Sequence, residues 1–162
     1  MANSSGSVTV QLLADNEQLI AVIGELRWRE WGRAPEPEDL DWWVAVTARE
    51  AGRDHLPVKW VALDVHGGAL GAVGLGEFDI EERRDRSPWV LGMIVRPDRR
   101  GMGVGSLLMA QLEAWAGTRG YRQLWVATGG RAIDFYRKCG WELSKTVARS
   151  SGDVASVLMK RL

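Results

Sequence analysis

The stretch Ile94-Val95-Arg96-Pro97-Asp98-Arg99-Arg100-Gly101-Met102-Gly103-Val104-Gly105-Ser106 carries the most direct chemical signal. An apolar run enters a glycine-rich turn, and the turn opens a helix. Glycine lets a backbone approach a ligand closely, because no Cβ intervenes. The first N–H groups of a helix lack partners inside it and sit at the positive end of its dipole. Together they suit an anion such as a diphosphate. Each hydrogen bond to a charged group contributes about 1.5–3 kcal/mol. Several of them, with Arg99 or Arg100 nearby, suffice for a nucleotide ligand of micromolar affinity, roughly −8 kcal/mol. The bland alternative is a strand-to-helix turn that holds nothing.

Three cradles compete for this pattern. A P-loop ends in Gly-Lys-Ser/Thr, whereas Gly105 is followed by Ser106 and Leu107. A dinucleotide fingerprint needs a third Gly or Ala at position 106 and an acidic residue ending the next strand, and Ser106 and Thr128 supply neither. The third is the acyl-CoA loop, Gln/Arg-x-x-Gly-x-Gly/Ala, which Arg100, Gly103 and Gly105 match.

The elements that must position this turn follow from periodicity. Val8–Leu13 reads as a strand. Asp15 reads as the N-cap of a helix running to about Trp31, with the stripe Leu19, Val22, Ile23 and Leu26. A turn over Gly32–Pro37 leads to a helix over Glu38–Ala51, with Leu40, Trp43, Val44 and Thr47 on one face. Strands Val58–Val65 and Ala69–Asp79 flank a His66-Gly67-Gly68 turn. A charged loop, Glu81–Arg86, precedes the apolar strand Trp89–Val95. A helix over Val104–Ala116 turns Val104, Leu107, Leu108 and Trp115 inward. Strand Gln123–Thr128, helix Arg131–Cys139 and strands Trp141–Ala148 and Val154–Lys160 complete the chain. The order βααβββαβαββ is that of a mixed α/β domain.

With 162 residues the chain is within the range of one domain, read as a flexible leader over 1–7 and a single domain over 8–162. Lys plus Arg and Asp plus Glu each number 21, so no net field steers the chain onto nucleic acid or an anionic membrane. No apolar run approaches the ~20 residues that span a bilayer. Cys139, His55 and His66 are too few for a closed zinc site, and no metal is expected. Without a disulfide partner or a signal segment, the chain reads as cytoplasmic.

A second segment joins the first. Leu124–Thr128 is followed by Ala132-Ile133-Asp134-Phe135-Tyr136-Arg137-Lys138-Cys139-Gly140-Trp141. Together the two segments resemble the GCN5-related N-acetyltransferase superfamily. Val95, Pro97, Arg100, Gly101, Gly103, Gly105 and Leu108 match its V-x-P-x-x-R-G-x-G-x-G-x-x-L motif. Ala132, Phe135, Tyr136, Lys138, Gly140 and Trp141 match its A-x-x-F-Y-x-K-x-G-[FW] motif. The resemblance implies a mixed, mostly antiparallel sheet of about seven strands flanked by four helices. It implies acetyl-CoA as co-substrate and a primary amine as the usual acceptor. It places the pantetheine arm in a gap between the strand before the cradle and the next one. Backbone groups of Met93 and Val95 would pair with that arm, and an N–H near Met93 or Ile94 would face the thioester carbonyl. The backbone of Arg100, Gly101, Met102, Gly103, Val104, Gly105 and Ser106 would hold the diphosphate. Phe135 and Tyr136 would lie at the cofactor. The family often has Asn where this chain has Gly129, so the contact there falls to backbone or water.

Acetyl transfer faces two proton problems. An alkylammonium has a pKa of ~10.4, so freeing the amine at pH 7 costs ~4.6 kcal/mol and calls for a base. The departing sulfur calls for an acid, a role the resemblance gives to Tyr136. By period two, Glu77 and Asp79 share a face with Val73 and Leu75, which makes Glu77 the first and Asp79 the second choice of base, directly or through water. Glu81 and Glu82 read as a solvated charge run, and Cys139 reads as a packing residue rather than a nucleophile.

The nine tryptophans separate by geometry. Trp43, Trp60, Trp115, Trp125 and Trp141 read as packing. Trp28 and Trp42 fall off the apolar faces of their helices, and Trp31 is intermediate. The family's first two helices line the acceptor pocket, so Trp28, Trp31 and Trp42 are expected as its walls, joined by Trp89. A dimer contact or ordinary surface is the competing reading. Aromatic walls with Glu77 and Asp79 suit a cationic amine, for which an aminoglycoside-like antibiotic is one candidate. Acetylation of a protein N-terminus or lysine is the alternative, and a CoA-binding module without turnover is a third. The resemblance makes a homodimer common.

Overall fold

The computed structural model describes residues 7–32 and 38–162. Most of the expected leader and the turn after Gly32 therefore lie outside the described residues. The strands are β1 (Thr9–Leu12), β2 (Val58–Leu63), β3 (Ala69–Gly76), β4 (Trp89–Val95), β5 (Gln123–Thr128), β6 (Glu142–Ala148) and β7 (Val154–Arg161). The helices are α1 (Ile20–Trp31), α2 (Leu40–Arg49), α3 (Val104–Thr118) and α4 (Ala132–Lys138). The strands hydrogen-bond in the order β1-β2-β3-β4-β5-β7-β6. β1/β2, β5/β7 and β6/β7 are antiparallel, and β4 runs parallel to β5, registered at Trp89↔Trp125. This is the mixed, mostly antiparallel sheet with four helices that the resemblance implied.

The chain groups into two compact units. One comprises the described residues up to Gly74 together with Gly92–Leu112. Its core gathers Leu13, Ile23, Val61, Leu63, Ala72 and Ile94. α1 and α2 approach closely where a Cβ on Gly24 would come 2.7 Å from the Val44 Cα. The other unit comprises Leu75–Leu91 and Glu113–Leu162. Its core stacks Ile80, Trp89, Trp125 and Val157.

Local readings needed several corrections. Asp15 does not cap a helix: it ends a 3-10 turn, Leu13–Asp15, and its carboxylate pairs with Arg53 instead. The helix proper starts at Ile20, and its buried face is Ile23, Gly24 and Arg27, while Val22 is exposed. On α3 the inward residues are Val104, Leu108, Met109, Leu112 and Ala116. Leu107 is exposed and Trp115 half-buried beneath the Arg119 guanidinium, since the i, i+4 row through Val104 bypasses both. β2 ends at Leu63 because Asp64 turns the chain, its Oδ1 accepting the His66 and Gly68 N–H groups at 2.8 Å.

Every residue of β2 and β3 is buried. One of them is charged: Lys59 is fully buried, with its Nζ 3.1 Å from Glu50 Oε1. Arg27 reaches the same oxygen from α1, its Nη1 at 3.2 Å, and donates to Thr47 Oγ1 at 3.0 Å. Burial by itself would raise the Glu50 carboxyl, but Lys59 and Arg27 outweigh it and hold the group below its usual range. Burial, together with Arg27, pushes the Lys59 ammonium down from 10.5 to about 8. Between those values the folded chain has released a proton that the unfolded chain still holds. Stability therefore rises with pH from about 8 to 10.5 by a Lys59 contribution on the order of a few kcal/mol. Below pH 8 both states carry the charge, and the burial penalty is constant. We expect urea melts between pH 7.5 and 10.5 to show that rise and Lys59→Met to abolish it.

Candidate active site

The cradle begins where β4 leaves the sheet. The Arg96 N–H donates to the Leu70 carbonyl at 2.8 Å, and Pro97–Arg99 form one 3-10 turn. Gly101 and Gly103 follow with φ of +78° and +85°, a left-handed backbone that side chains other than glycine's enter only at a cost. Nothing lies within 4 Å of a Cβ at either position, so the turn presents open backbone rather than packed surface. The Leu107 N–H donates to the Gly103 carbonyl at 3.1 Å, which is the first rung of α3. The N–H groups of Val104, Gly105 and Ser106 precede that rung and have no i−4 partner in the helix. With α3 running for 15 residues, its dipole is fully developed. A diphosphate fits such a cradle.

Arg100 has a different part from the one expected. Its Nε donates to the Val95 carbonyl at 3.0 Å, and its Nη2 donates to Glu30 Oε2 at 3.1 Å. The side chain is a strut between the end of β4 and the end of α1, while its backbone remains in the cradle. Glu30 was not singled out from the sequence, because nothing local links residues 70 positions apart. A cleft of about 440 Å³ opens here, lined by Leu26, Trp28, Glu30, Ile94, Pro97 and Arg100.

On β4, Met93 and Val95 are half-buried, whereas Ile94 packs into the core. Trp28 is half-buried, its Nε1 donating to the Glu38 carbonyl at 3.2 Å. Trp31 and Trp42 are 42% and 47% exposed, leaning on the buried Trp43 at ring separations of 6.1 and 5.1 Å. Trp89 does not join them. It is fully buried, donates from Nε1 to the Arg86 carbonyl at 2.7 Å and packs against Trp125. Its large ring is worth more in a core than at a strand mouth.

In the other unit, α4 carries Tyr136. Its ring is held edge-on by Phe135 at 5.1 Å and Trp141 at 5.5 Å. The end of α4 is pinned: Lys160 Nζ donates to the Cys139 carbonyl at 2.6 Å and lies 2.6 Å from Glu113 Oε1. Burial, and after it Cys139 and Asp79, raise the Tyr136 phenol well above its ordinary value. Gly129, where the family often has Asn, has open space about its Cβ position.

The base candidates move. β3 ends at Gly76, so Glu77 and Asp79 lie beyond the strand, both exposed. A strand buried along its whole length has no face for a carboxylate, and the chain leaves the sheet before the first one. Ile80 re-enters the core, and the following 3-10 turn is moored by Glu82, whose Oε1 accepts the Ser150 N–H at 2.9 Å. Glu82 is therefore more than a solvated residue. Cys139 is half-buried, and both histidines are exposed. Among the described residues no three His, Cys, Asp or Glu converge as a metal would require, and no helix is long and apolar enough to cross a membrane.

A mixed seven-strand sheet whose fourth strand runs through a glycine turn into a helix N-terminus is the architecture expected of an acyl-CoA-binding transferase. The chain belongs to the acetyltransferase (GNAT) family, whose model it matches over residues 13–141. It is an acetyltransferase, with acetyl-CoA the co-substrate that this family membership brings. It is similar to an aminoglycoside 6'-N-acetyltransferase solved with coenzyme A: TM-score 0.74, 14% identity, 94% of this chain and 96% of that one. It is similar to a point mutant of the spermidine N-acetyltransferase of Vibrio cholerae: TM-score 0.72, 15% identity, 96% and 94%. A GCN5-related N-acetyltransferase from Kribbella flavida aligns at TM-score 0.71 and 21% identity over 98% of this chain and all of that one. At these identities the likeness is one of fold. No curated protein sequence matches the chain.

The cradle's strain can be tested apart from its contacts. Gly103→Ala meets no neighbour but forces a left-handed alanine, which costs about 1–2 kcal/mol. Gly117→Ala meets no neighbour either and lies in the last turn of α3 without a positive φ, so it should stabilise by about 0.4–1 kcal/mol. Opposite shifts in thermal midpoint are the expected result.

Proposed function

We propose that the chain acetylates a primary amine of a small cationic molecule. The observation that carries this reading is the cleft beside β4. There Ile94 and Arg100, expected on the cofactor side, share a wall with Trp28, expected on the acceptor side. The exposed rings of Trp31 and Trp42 add aromatic surface for a cation, and Glu77 and Asp79 supply exposed negative charge. The solved spermidine and aminoglycoside acetyltransferases belong to the same chemical class of acceptor.

Acetyl-CoA supplies the activated acyl group. The backbone of Gly101–Ser106 holds its diphosphate, and Met93 and Val95 pair with its arm. An N–H at Met93 or Ile94 faces the thioester oxygen. The amine nitrogen forms the C–N bond as the C–S bond breaks. One proton leaves nitrogen for Glu77, Asp79 or water, and the sulfur departs as the thiolate, which then takes up that proton from the base or from water to become the thiol. Asp79 is the carboxylate whose charge reaches Tyr136. Tyr136 stays neutral across the working range, so it serves as a fixed hydrogen-bond donor to the sulfur. Complete proton transfer from this phenol to the thiolate of a thiol of pKa ~8.5 would be steeply uphill.

Release of free CoA thiol should be followed with polyamines, aminoglycosides, free lysine and peptide N-termini as acceptors. Turnover by a small cationic amine is the expected result. Turnover by peptides alone would favour the protein-acetylating alternative, and none with any amine would leave a binding module. Tyr136→Phe should lower kcat about ten- to a hundredfold, the worth of one hydrogen bond to developing charge, with the KM for acetyl-CoA little changed. Asp79→Asn or Glu77→Gln should flatten the rising limb of the pH–rate profile. A profile untouched by both would assign the proton to water.

A further inference from the structure

Gly92 lies in the middle of β4 with φ +54°, a kink that the flanking residues of the strand do not share. The dihedrals at Gly92 set the direction of the next N–H, that of Met93. A Cβ at Gly92 would lie 3.0 Å from Arg27 Nε and 3.1 Å from its Cζ and Nη2, so the guanidinium lies against the Cα of the kink. Arg27 is 5% exposed. It is held from the far side by Thr47 Oγ1 and Glu50 Oε1 and lies 5.3 Å from the centre of the Trp43 ring. Its Nε has no hydrogen-bond partner.

This arrangement is expensive for a core. Two cations share one carboxylate oxygen, and a buried donor goes unused. An apolar side chain of similar volume would fill the space with less desolvation. The feature that an apolar chain would not reproduce is a flat, rigid face clamped at one end.

We propose that Arg27 is a positioning residue for acetyl transfer: clamped by Thr47 and Glu50, its guanidinium braces the Gly92 kink and so fixes the Met93 N–H toward the thioester carbonyl. The inference rests on the reading that this N–H meets the thioester. Arg27 touches neither substrate, and it acts through backbone alone. Cofactor grip belongs to Gly101–Ser106, so the brace separates carbonyl polarisation from binding.

The test compares wild type with Arg27→Met, Arg27→Lys and Glu50→Gln, each checked for fold by circular dichroism. CoA and acetyl-CoA are titrated separately by calorimetry. The infrared carbonyl band of acetyl-CoA labelled with carbon-13 at the carbonyl is recorded free and bound. In wild type the bound band should lie below the free one. In Arg27→Met it should return toward the free position, with kcat down about tenfold or more and CoA affinity within about twofold. Arg27→Lys keeps the charge but has no planar face, so it should not restore the band. An unchanged band and kcat in a folded Arg27→Met overturns the proposal, as does a loss of kcat matched by an equal loss of CoA affinity. Should Arg27→Met not fold, Glu50→Gln leaves the arginine in place with one anchor weakened. A partial return of the band supports the brace, and a wild-type band refutes it. Failure of wild type to bind CoA at all overturns the cofactor reading, and the brace with it.

Discussion

A strand buried along its whole length can carry a charge only if the counter-charge is buried with it. β2 and β3 impose that condition on the sheet. Lys59 meets it through Glu50, and Glu50 in turn draws Arg27 inward from α1. The three side chains link the first two helices to the second strand, and their position against Gly92 extends the link to β4. Carboxylates are otherwise kept off the buried strands: Glu77 and Asp79 appear only after β3 has ended. The division between buried and exposed charge thus follows from one rule of desolvation.

The same rule sorts the reactive groups. Tyr136 is buried between Phe135 and Trp141, so its phenol stays protonated and its direction is fixed. That suits the hydrogen bond to sulfur proposed for Tyr136. The base proposed for the amine needs the reverse, a site open to water, and Glu77 and Asp79 are exposed. In the proposed reading the diphosphate is held by the N–H groups at the start of α3 and its dipole. The Arg100 side chain is engaged with Glu30 and the Val95 carbonyl.

Glycine and helix-start chemistry are local, and so the cradle was legible residue by residue. β4 and β5 were read with their observed bounds, because an apolar run between breakers has few other solutions. The first helix was misplaced by a turn because Asp15, a good cap in isolation, finds Arg53 in the fold. Its buried face differs from the stripe Leu19, Val22, Ile23 and Leu26 because Arg27 turns inward to partners on other elements, Thr47 and Glu50. Trp89 was misjudged because a large aromatic at a strand entry looks available until the core that covers it is known.

From residue order alone came the succession of elements, the open backbone between Arg100 and Ser106 and the two family motifs, the second of which contains Tyr136. These depend on periodicity, φ preference and contiguous pattern, which act over a few residues. Tertiary structure alone decided that Arg27 lies against Gly92, that Arg100 leans on Glu30, that Glu82 moors to Ser150 and that Trp89 is core. Each of those joins residues far apart in the chain. Burial and counter-charge select such pairs, and neither exists until the sheet and helices have packed.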